Sequence, residues 1–424
     1  MSLRQQVLSS AKWAVIGNTG KYAIFFIVLI ILARILSPRE FGLVAMAQVF
    51  SGFAGTLNEL GFGAALVQRQ TIEERHRSSV FWLSLLIGIG LTLALMLSAP
   101  FIAMFYNEPR LVPIVFVISL YFTIGAFASV QTSLLQRDLA FRHIALIDIG
   151  TNLFGGLFAI GLAILGAGVW AIVSQNMAMI IARVVVMWLT VQWRPRRIWD
   201  RHALRELMGF SLNLVGIKSL NYWIASADNL LIGRFTNPVA LGLYTRAYSV
   251  MLQPLKQITW ILGRVMFPAL SRIQHDQART KAGVLNAQRL IAFLTMPMMA
   301  GLIVVAEDFV LVVFGEQWTA MTPILRILCL VAIIQPMTET VDWIYRAQGR
   351  TDIYFKWGLF TGTVSILSFV IGLNWGVQGV ATAYAIVTYL LWYPTIAIAG
   401  RLIQLSFITF FQNISSIMLI TAFM

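Results

Sequence analysis

Residues 79–105 read SVFWLSLLIGIGLTLALMLSAPFIAMF and contain no charged side chain. A helix needs about 20 mostly apolar residues to cross a bilayer, so this segment predicts a membrane-spanning helix. The whole chain has the same character, because 59% of its 424 residues are hydrophobic and 11% are charged. A soluble domain carries about 25% charged residues. The sequence therefore predicts an all-α polytopic membrane protein.

Apolar segments of similar length recur along the chain and predict thirteen spanning helices. Backbone polar groups in lipid must be hydrogen-bonded within the protein, which favours helices. The alternating pattern of barrel strands is absent from the sequence. The predicted spans are residues 13–36, 41–66, 79–105, 111–134, 144–166, 168–191, 209–234, 239–268, 285–313, 321–345, 353–373, 376–400 and 402–424.

Lysine and arginine residues are distributed unequally between alternate loops. One set of loops contains 19 of them, including Arg75 and Arg197, and the opposite set contains Arg39 and Arg110. Cytoplasmic loops carry the excess of lysine and arginine in membrane proteins. We therefore expect the N-terminus to lie in the cytoplasm. The first apolar segment is too long for a cleavable signal, so we expect it to remain as the first span.

The two halves of the chain share a pattern where a first span ends and a second begins. In each half an arginine is followed four residues later by a proline and then by Gly-Leu. The matching residues are 200 positions apart: Arg34, Pro38 and Gly42-Leu43 against Arg234, Pro238 and Gly242-Leu243. Gly168-Val169 and Gly379-Val380 mark spans six and twelve similarly. A six-span repeat predicts two pseudo-twofold-related six-helix bundles around a central cavity.

The sequence predicts four parts. They are an N-terminal six-helix lobe at residues 1–191, a basic cytoplasmic linker at 192–208, a C-terminal six-helix lobe at 209–400 and a thirteenth helix at 401–424. The linker contains the sequence WRPRR at residues 193–197. Such a segment either contacts anionic lipid headgroups or connects the two lobes as a topological signal, and we favour the connection.

Spans one, two, seven and eight are the most polar. Polar and ionisable residues inside a membrane usually face a protein interior or a water-filled cavity. We therefore expect these four spans to line the central cavity. The candidate substrate-binding residues are Asn18, Lys21, Lys218, Asn221, Arg246, Gln253, Lys256 and Gln257.

Three of these candidates, Lys21, Lys218 and Lys256, lie at similar predicted depths in the cytoplasmic half of their spans. Lysine is a common binder of phosphate, so the three ammonium groups predict a pocket for a phosphate or diphosphate. Two acidic residues, Glu59 and Asp228, are candidates for coupling or for structural charge pairs. Glu59 would pair with Lys21 and Asp228 with Arg246, and both interpretations stay open.

Several other functions lack their usual sequence signals. A glycine-rich phosphate loop followed by Lys-Ser/Thr is absent, which argues against ATP hydrolysis. The four histidines lie in separate cytoplasmic loops without metal-ligand spacing, and the one cysteine, Cys329, fits a packing role. The net charge of +14 is spread over short loops and does not predict nucleic-acid binding. We expect a transporter without cofactor or metal.

Ordered motifs along nearly the whole chain resemble a known family. They include Leu32-Ala33-Arg34 with Phe41-Gly42-Leu43, Gly61-Phe62-Gly63 with Val67-Gln68-Arg69, Leu135-Gln136-Arg137-Asp138-Leu139, and Phe267-Pro268-Ala269-Leu270-Ser271-Arg272. In these segments the chain is similar to the Wzx-type polysaccharide-export flippases, a colanic-acid-exporter-like branch of the multidrug/oligosaccharidyl-lipid/polysaccharide superfamily.

The resemblance implies a multi-pass protein of the bacterial inner (cytoplasmic) membrane. It implies that two lobes translocate undecaprenyl-diphosphate-linked oligosaccharide from the cytoplasmic to the periplasmic leaflet by alternating access, for surface polysaccharide biosynthesis. Membrane lipids and other polysaccharide assembly proteins are the implied partners. The family has about fourteen spans, whereas this sequence ends at Met424 within the thirteenth, so we expect a truncated chain.

Two other functions remain as alternatives. A cation- or proton-coupled drug exporter of the same superfamily would have a cavity dominated by acidic residues, whereas basic residues dominate here. A membrane glycan polymerase or ligase would present a large periplasmic loop with catalytic arginine or histidine, and the predicted external loops contain a few residues each. Both alternatives fit the sequence less well than the flippase.

Overall fold

The computed structural model describes residues 3–58, 62–69, 71–208 and 211–423. These residues are almost entirely helical, and no β-strand occurs among them. The chain divides into two compact units, Met1–Ser226 and Ala227–Met424. The structure confirms the all-α fold class expected from the apolar segments.

Unit 1 contains nine complete helices and the first part of a tenth. The helices are α1 (Leu3–Ile35), α2 (Pro38–Asn58), α3 (Phe62–Gln68), α4 (Glu74–Tyr106), α5 (Leu111–Ala126), α6 (Ser129–Arg137), α7 (Phe141–Ile164), α8 (Val169–Thr190), α9 (Arg201–Met208) and α10 (Ser211–Phe235). Helix α10 begins in unit 1 and ends in unit 2.

Unit 2 contains the remainder of α10 and seven further helices. These are α11 (Pro238–Arg272), α12 (Gln277–Val304), α13 (Ala306–Val313), α14 (Thr322–Ala347), α15 (Thr351–Gly372), α16 (Gly376–Gly400) and α17 (Phe407–Ala422). Helix α14 packs against α11, α12 and α16 and forms the centre of the unit. A buried hydrogen bond of 2.8 Å from Gln288 Nε2 to Thr340 Oγ1 joins α12 to α14.

The repeated break between the first two spans has the same bounds in both halves. Helix α1 ends at Ile35 and α2 begins at Pro38, and α10 ends at Phe235 and α11 begins at Pro238. Proline fits the first turn of a helix because its missing N–H has no partner there in any case. The offset of 200 residues in the sequence pattern therefore corresponds to matching helix ends.

Capping differs between the two breaks. At the start of α11, Asn237 Oδ1 accepts a hydrogen bond of 2.9 Å from the backbone N of Ala240. At the start of α2, the carboxylate of Glu40 accepts from the backbone N and the hydroxyl of Ser37, at 2.6 and 3.0 Å. Both arrangements satisfy backbone donors at a helix start, which a short turn in a membrane protein requires.

Some predicted spans are interrupted. The predicted span 111–134 consists of α5 and α6, whose axes are bent by 45°. The predicted span 285–313 consists of α12 and α13, and α12 begins at Gln277, eight residues earlier than predicted. Charged residues near the start of α12 concealed this extension, because a helix that leaves the bilayer is free to be polar.

Eight segments of the described residues are long and apolar enough to cross a membrane, or nine if the bent α5–α6 pair is one span. One of these segments, Thr351–Ile403, contains both α15 and α16, which pack against each other. The predicted spans outside this count correspond to α10, α11 and the 16-residue α17. Helices α10 and α11 are long enough but carry charged residues, the same feature that identified them as cavity-lining helices.

The basic linker is attached to α4. Residues 191–200 have no regular secondary structure. The backbone N of Arg196 donates to Ser78 Oγ at 3.0 Å, and the backbone N of Asp200 donates to Ser79 Oγ at 2.8 Å. Trp82 Nε1 donates to the carbonyl of Arg196 at 2.8 Å. Hydrogen bonds to its backbone therefore hold this segment against α4, and α9 follows it.

Helices α1 and α7 pack closely because small residues face each other. A Cβ atom at Gly17 would lie 2.6 Å from Ala145 Cβ, and a Cβ atom at Gly156 would overlap Val28. Close approach of two backbones through small residues is typical of helix packing in membranes. This contact fixes the register of α1 on α7, and therefore the positions of their polar residues along the two helices relative to each other.

Candidate functional site

Four predicted site residues lie in unit 1. Asn18 and Lys21 are partly buried on α1, and Lys218 is partly buried on the first part of α10, where Asn221 is exposed. Lys21 lies about 21 Å from the end of its helix and Lys218 about 26 Å, at 1.5 Å rise per residue. Both lysines are therefore more than half a bilayer thickness away from the helix ends at Ile35 and Phe235. Glu59, the predicted partner of Lys21, lies outside the described residues.

Tyr222 joins the first part of α10 to α2. Its hydroxyl donates to the carbonyl oxygens of Val49 at 2.7 Å and of Gln48 at 3.2 Å. A side chain at Gly52 would overlap the Tyr222 hydroxyl, so the glycine provides the space for this contact. Lys218 precedes Tyr222 by four residues and therefore lies on the same face of α10. This contact directs Lys218 towards the polar face of α2.

An aromatic cluster surrounds this contact. The ring of Trp223 lies 5.0 Å from that of Phe53 and 6.1 Å from that of Phe50, and Phe50 lies 6.0 Å from Tyr106. Tyr222 lies 6.1 Å from Phe53. Aromatic faces with polar edges suit the packing of sugar rings beside hydrogen-bonding groups. The sequence analysis did not predict this cluster, because its members come from three helices.

The structure also shows an ion pair within unit 1 that the sequence argument missed. Arg183 Nη1 on α8 lies 3.0 Å from Asp148 Oδ1 on α7, and the two side chains are 31% and 22% exposed. Asp148 lies about 10 Å from the start of α7 and Arg183 about 10 Å from the end of α8, at 1.5 Å per residue. Charges within a span were the available signal, but spans five and six are otherwise apolar and were not among the four most polar spans.

Four predicted site residues of unit 2 form a polar stripe on one continuous helix, α11. Arg246, Gln253 and Gln257 are partly exposed on α11, and Lys256 is exposed beside them. Lys256 lies about 27 Å from the start of α11 at Pro238, at 1.5 Å per residue. Arg264, further along the stripe, stacks over Trp260 at 4.8 Å.

Lys256 has an acidic neighbour within unit 2. Glu339 on α14 hydrogen-bonds Thr259 of α11 and interacts electrostatically with Lys256. One turn further along α14, Asp342 accepts a hydrogen bond of 2.8 Å from Arg346. Asp342 and Arg346 are four residues apart and therefore lie on one face of α14.

Asp228 is buried at the start of unit 2. Its carboxylate accepts hydrogen bonds from the Tyr244 hydroxyl at 2.9 Å and from the backbone N of Asn229 at 2.7 Å. Tyr244 stacks on Tyr248, with ring centroids 6.0 Å apart. The structure shows the Tyr244 hydroxyl as a direct hydrogen-bond donor to Asp228, and the pairing of Asp228 with Arg246 stays a prediction.

Metal binding requires several suitable ligands in one place. Among the described residues, no three histidine, cysteine, aspartate or glutamate residues are placed to hold a metal ion. The polar residues of both units instead offer ammonium, guanidinium, amide and hydroxyl donors. Such donors bind anions and sugar hydroxyls.

Three bacterial proteins are similar to the chain over most of its length. The teichuronic acid biosynthesis protein TuaB of Bacillus subtilis (strain 168) is 30% identical over 100% of this chain and 88% of its own. The lipopolysaccharide biosynthesis protein WzxC of Escherichia coli (strain K12) is 27% identical, with coverage of 88% and 76%. The succinoglycan biosynthesis transport protein ExoT of Rhizobium meliloti (strain 1021) is 28% identical, with coverage of 83% and 72%.

Two solved structures have a similar fold. The lipid II flippase MurJ in an inward closed conformation superposes with a TM-score of 0.73 at 15% identity, covering 99% of this chain and 91% of MurJ. An inward-facing multidrug resistance MATE family transporter of the MOP superfamily gives a TM-score of 0.70 at 13% identity, covering 92% and 94%. At these identities the similarity establishes the helical fold.

The family assignment rests on sequence. The model of one protein family, described as polysaccharide biosynthesis protein, matches residues 31–323, which is more than half of the chain. The match includes the α1–α2 break, the aromatic cluster residues of α2 and α10, and most of the polar stripe of α11. The chain is a multi-span membrane protein that belongs to the polysaccharide biosynthesis protein family.

Proposed function

We propose that the protein is a flippase that translocates undecaprenyl-diphosphate-linked oligosaccharide from the cytoplasmic to the periplasmic leaflet by alternating access. The observation that carries the proposal is the set of lysines in the cytoplasmic half of polar spanning helices. Charged side chains are energetically unfavourable in the bilayer and usually serve to bind a substrate or an ion. A diphosphate headgroup that enters from the cytoplasm is an anion that these lysines would bind.

The comparisons support the same conclusion. ExoT is named as a transport protein for succinoglycan biosynthesis, and MurJ is named as a lipid II flippase. A flippase for a lipid-linked precursor is the function that relates a polysaccharide biosynthesis protein to a transporter fold. The substrate for this chain would then be an oligosaccharide on a polyprenyl diphosphate carrier.

Each candidate residue has a role in this proposal. In unit 1 the ammonium groups of Lys21 and Lys218 bind the diphosphate, and in unit 2 Lys256 and Arg246 are the candidate cations for it. The amides of Asn18, Asn221, Gln253 and Gln257 hydrogen-bond sugar hydroxyls. The aromatic cluster at Phe53 and Trp223 packs against sugar rings. Glu59 and Asp228 either couple transport to ion movement or act as structural partners of nearby cations and hydroxyls.

The orientation is also proposed. The N-terminus and the linker at residues 192–208 lie in the cytoplasm, and the membrane is the bacterial inner membrane. Cysteine substituted for Arg197 in the linker, in a Cys329→Ser background, should react with an impermeant thiol reagent only after the cells are permeabilised. Cysteine substituted for Arg110, in the loop between α4 and α5, should react in intact cells. Labelling of both positions in intact cells would contradict this topology.

The repeat-based division of the chain is part of the proposal. Lobes at residues 1–191 and 209–400 would move during transport, with 192–208 as the connection and 401–424 as an additional helix. Membrane lipids surround the protein, and other polysaccharide assembly proteins receive its product.

The function is tested in a strain that lacks the protein. The expected result is loss of the surface polysaccharide together with accumulation of its lipid-linked oligosaccharide, and return of both to normal on expression of the intact chain. Loss of the polysaccharide without accumulation of the lipid-linked intermediate would contradict a flippase. Sensitivity of the strain to cationic drugs, with normal polysaccharide, would instead support the drug-exporter alternative.

A further inference from the structure

The ion pair between Asp148 and Arg183 faces away from the lipid-exposed surface of its helices. On α7 the exposed apolar residues Leu146, Leu157 and Ile164 form one stripe. At about 100° per residue, Asp148 lies about 160° from that stripe. The exposed stripe of α8 contains Ile181, Val185 and Leu189. Arg183 lies about 160° from it by the same geometry.

The ion pair is level with Lys21. The α1–α7 contact pairs Gly17 with Ala145 and Val28 with Gly156, each 128 residues further along the chain. Helices α1 and α7 are therefore parallel and in a constant register, which places Lys21 level with residue 149, next to Asp148. The side chain of Ile149 contacts Gly20, in agreement with this register.

Lys21 and Asp148 also lie on the same side of the α1–α7 contact. Lys21 is about 50° from the centre of the α1 face that contacts α7, and Asp148 is about 80° from the centre of the opposing face. For two parallel helices, these angles direct both side chains to one side of the pair. The exposed residues Ile27 of α1 and Leu157 of α7 lie on the other side. Arg183 contacts Asp148 directly, and Lys21 lies at the same level on the same side of the α1–α7 pair, with its Nζ 5.6 Å from the centre of the Tyr22 ring.

The geometry leaves an excess of positive charge. Two cations and one carboxylate occupy the same level of unit 1, and the side chains of Arg183 and Asp148 are 31% and 22% exposed. The contact between Arg183 and Asp148 uses Nη1. A guanidinium has five N–H donors, so a second anion can bind to Arg183 beside Asp148.

We propose that Arg183 and Lys21 form an anion-binding subsite in unit 1 that takes one phosphate of a diphosphate ester, and that Asp148 limits the affinity of this subsite. The proposal rests on the proposed function for the identity of the diphosphate. A transporter must bind its substrate strongly enough to accept it and weakly enough to release it. The Asp148 carboxylate repels the bound phosphate. When the substrate leaves, the same carboxylate neutralises the charge of Arg183.

A structural bridge between α7 and α8 makes a different prediction. If the pair served packing alone, neutralising either residue would lower stability and leave anion affinity unchanged. An anion subsite requires effects of opposite sign, because loss of Arg183 removes an attractive charge and loss of Asp148 removes a repulsive one.

The test measures binding of inorganic pyrophosphate to the purified full chain in detergent by titration calorimetry at low ionic strength. Arg183→Gln should weaken binding at least about fivefold, whereas Asp148→Asn should strengthen it about threefold or more. The double variant Asp148→Asn/Arg183→Gln avoids an isolated buried charge and should bind as weakly as Arg183→Gln. Arg289→Gln, which removes an exposed arginine from α12 of unit 2, is the matched control and should bind like the original chain.

Unchanged affinity in the double variant, or shifts of the same sign in the two single variants, would overturn the subsite. If Arg183→Gln does not fold, the double variant and Asp148→Asn decide by the same criteria. Binding is measured without transport, so the two proposals fail separately. Suppose that the purified chain binds pyrophosphate through Arg183 but the deletion strain accumulates no lipid-linked oligosaccharide. The subsite would then be retained, and the proposed flippase function would be contradicted.

Discussion

The contact between the fifth and sixth spans is charged in one half of the chain and neutral in the other. In unit 1 the Asp148–Arg183 ion pair joins α7 to α8 at 3.0 Å. In unit 2, Trp357 Nε1 donates to Thr395 Oγ1 at 3.2 Å and joins α15 to α16. The Gly-Val pairs of spans six and twelve, Gly168-Val169 and Gly379-Val380, are 211 residues apart. When 211 is added to the residue numbers of Asp148 and Arg183, the results lie within two residues of Trp357 and Thr395.

This difference indicates that the ion pair has a role other than helix packing. A neutral hydrogen bond is sufficient to join the equivalent helices of unit 2, so packing alone does not require two charges in the membrane. Charged groups within spans are expensive and usually serve substrate or ion binding. The comparison therefore assigns Asp148 and Arg183 to the polar interior of unit 1, together with Lys21.

The largest effect is expected from the lysines of unit 1. Lys21→Ala and Lys218→Ala should each reduce polysaccharide export by at least about tenfold, because each removes a charge-assisted contact to the diphosphate. Arginine at either position should retain part of the activity, because the charge remains while the geometry differs. Export in a complementation assay, with protein level measured alongside, gives the result. Lys356→Ala, at an exposed position of α15, is the control.

Full export by a well-expressed Lys21→Ala/Lys218→Ala variant would assign both lysines to structure or to contacts with lipid headgroups. The diphosphate site would then have to include Arg246 of unit 2. Glutamate at either position should be worse than alanine, because it repels the substrate.

A smaller effect is expected when the two equivalent contacts are removed in turn. The double variant Asp148→Asn/Arg183→Gln should reduce export several-fold, whereas Trp357→Phe should leave it nearly unchanged. Trp357→Phe loses one neutral hydrogen bond, which contributes about 1 kcal/mol to stability. Equal losses of export in the two variants would show that both contacts serve packing and would remove the distinction between the units.

The first helix of each half offers a further comparison through glycine. A Cβ atom at Gly17 of α1 would lie 2.6 Å from Ala145 Cβ, whereas a Cβ atom at Gly216 of α10 would meet nothing within 4 Å. Gly17→Val should lower the melting temperature in detergent, since overpacking costs about 1–3 kcal/mol. Gly216→Ala should leave it unchanged or raise it, because alanine favours a helix by about 1 kcal/mol over glycine. A similar decrease in both variants would contradict the close α1–α7 contact.

The smallest effect is expected from an exposed ion pair of unit 2. Arg350 and Asp352 pair at 3.0 Å near the start of α15, and both side chains are about half exposed. Exposed pairs contribute little to stability because water screens them. Arg350→Ala should therefore change neither export nor the melting temperature measurably. A clear loss in this variant would mean that surface charge in general, rather than the interior pairs, determines the behaviour of the chain.

The positions of the helices follow mainly from local sequence. Proline at positions 38 and 238 and the apolar runs before them predicted the breaks after α1 and α10 to within a few residues. The bend between α5 and α6 was not predicted, because its apolar sequence is continuous. The start of α12 was predicted too late, since hydropathy marks where a helix leaves the lipid and not where it ends.

The candidate site was only partly predictable for a similar reason. Polar residues concentrated in α10 and α11 are visible in the sequence, and Tyr222 then directs Lys218 towards α2 through a contact that depends on Gly52. Asp148 and Arg183 are 35 residues apart in two apolar spans, and only the packing of α7 on α8 brings them together. Neither residue has a local pattern that indicates its partner.

The most direct test of the central proposal is translocation by the purified chain in lipid vesicles. A fluorescent short-chain prenyl diphosphate that carries a sugar is placed in the outer leaflet, and its loss from that leaflet is followed with an impermeant quencher. The proposed flippase predicts loss that depends on the protein, that a prenyl monophosphate sugar reproduces less well, and that Lys21→Ala/Lys218→Ala abolishes. Movement no faster than in protein-free vesicles, with folded protein inserted in both orientations, would contradict it.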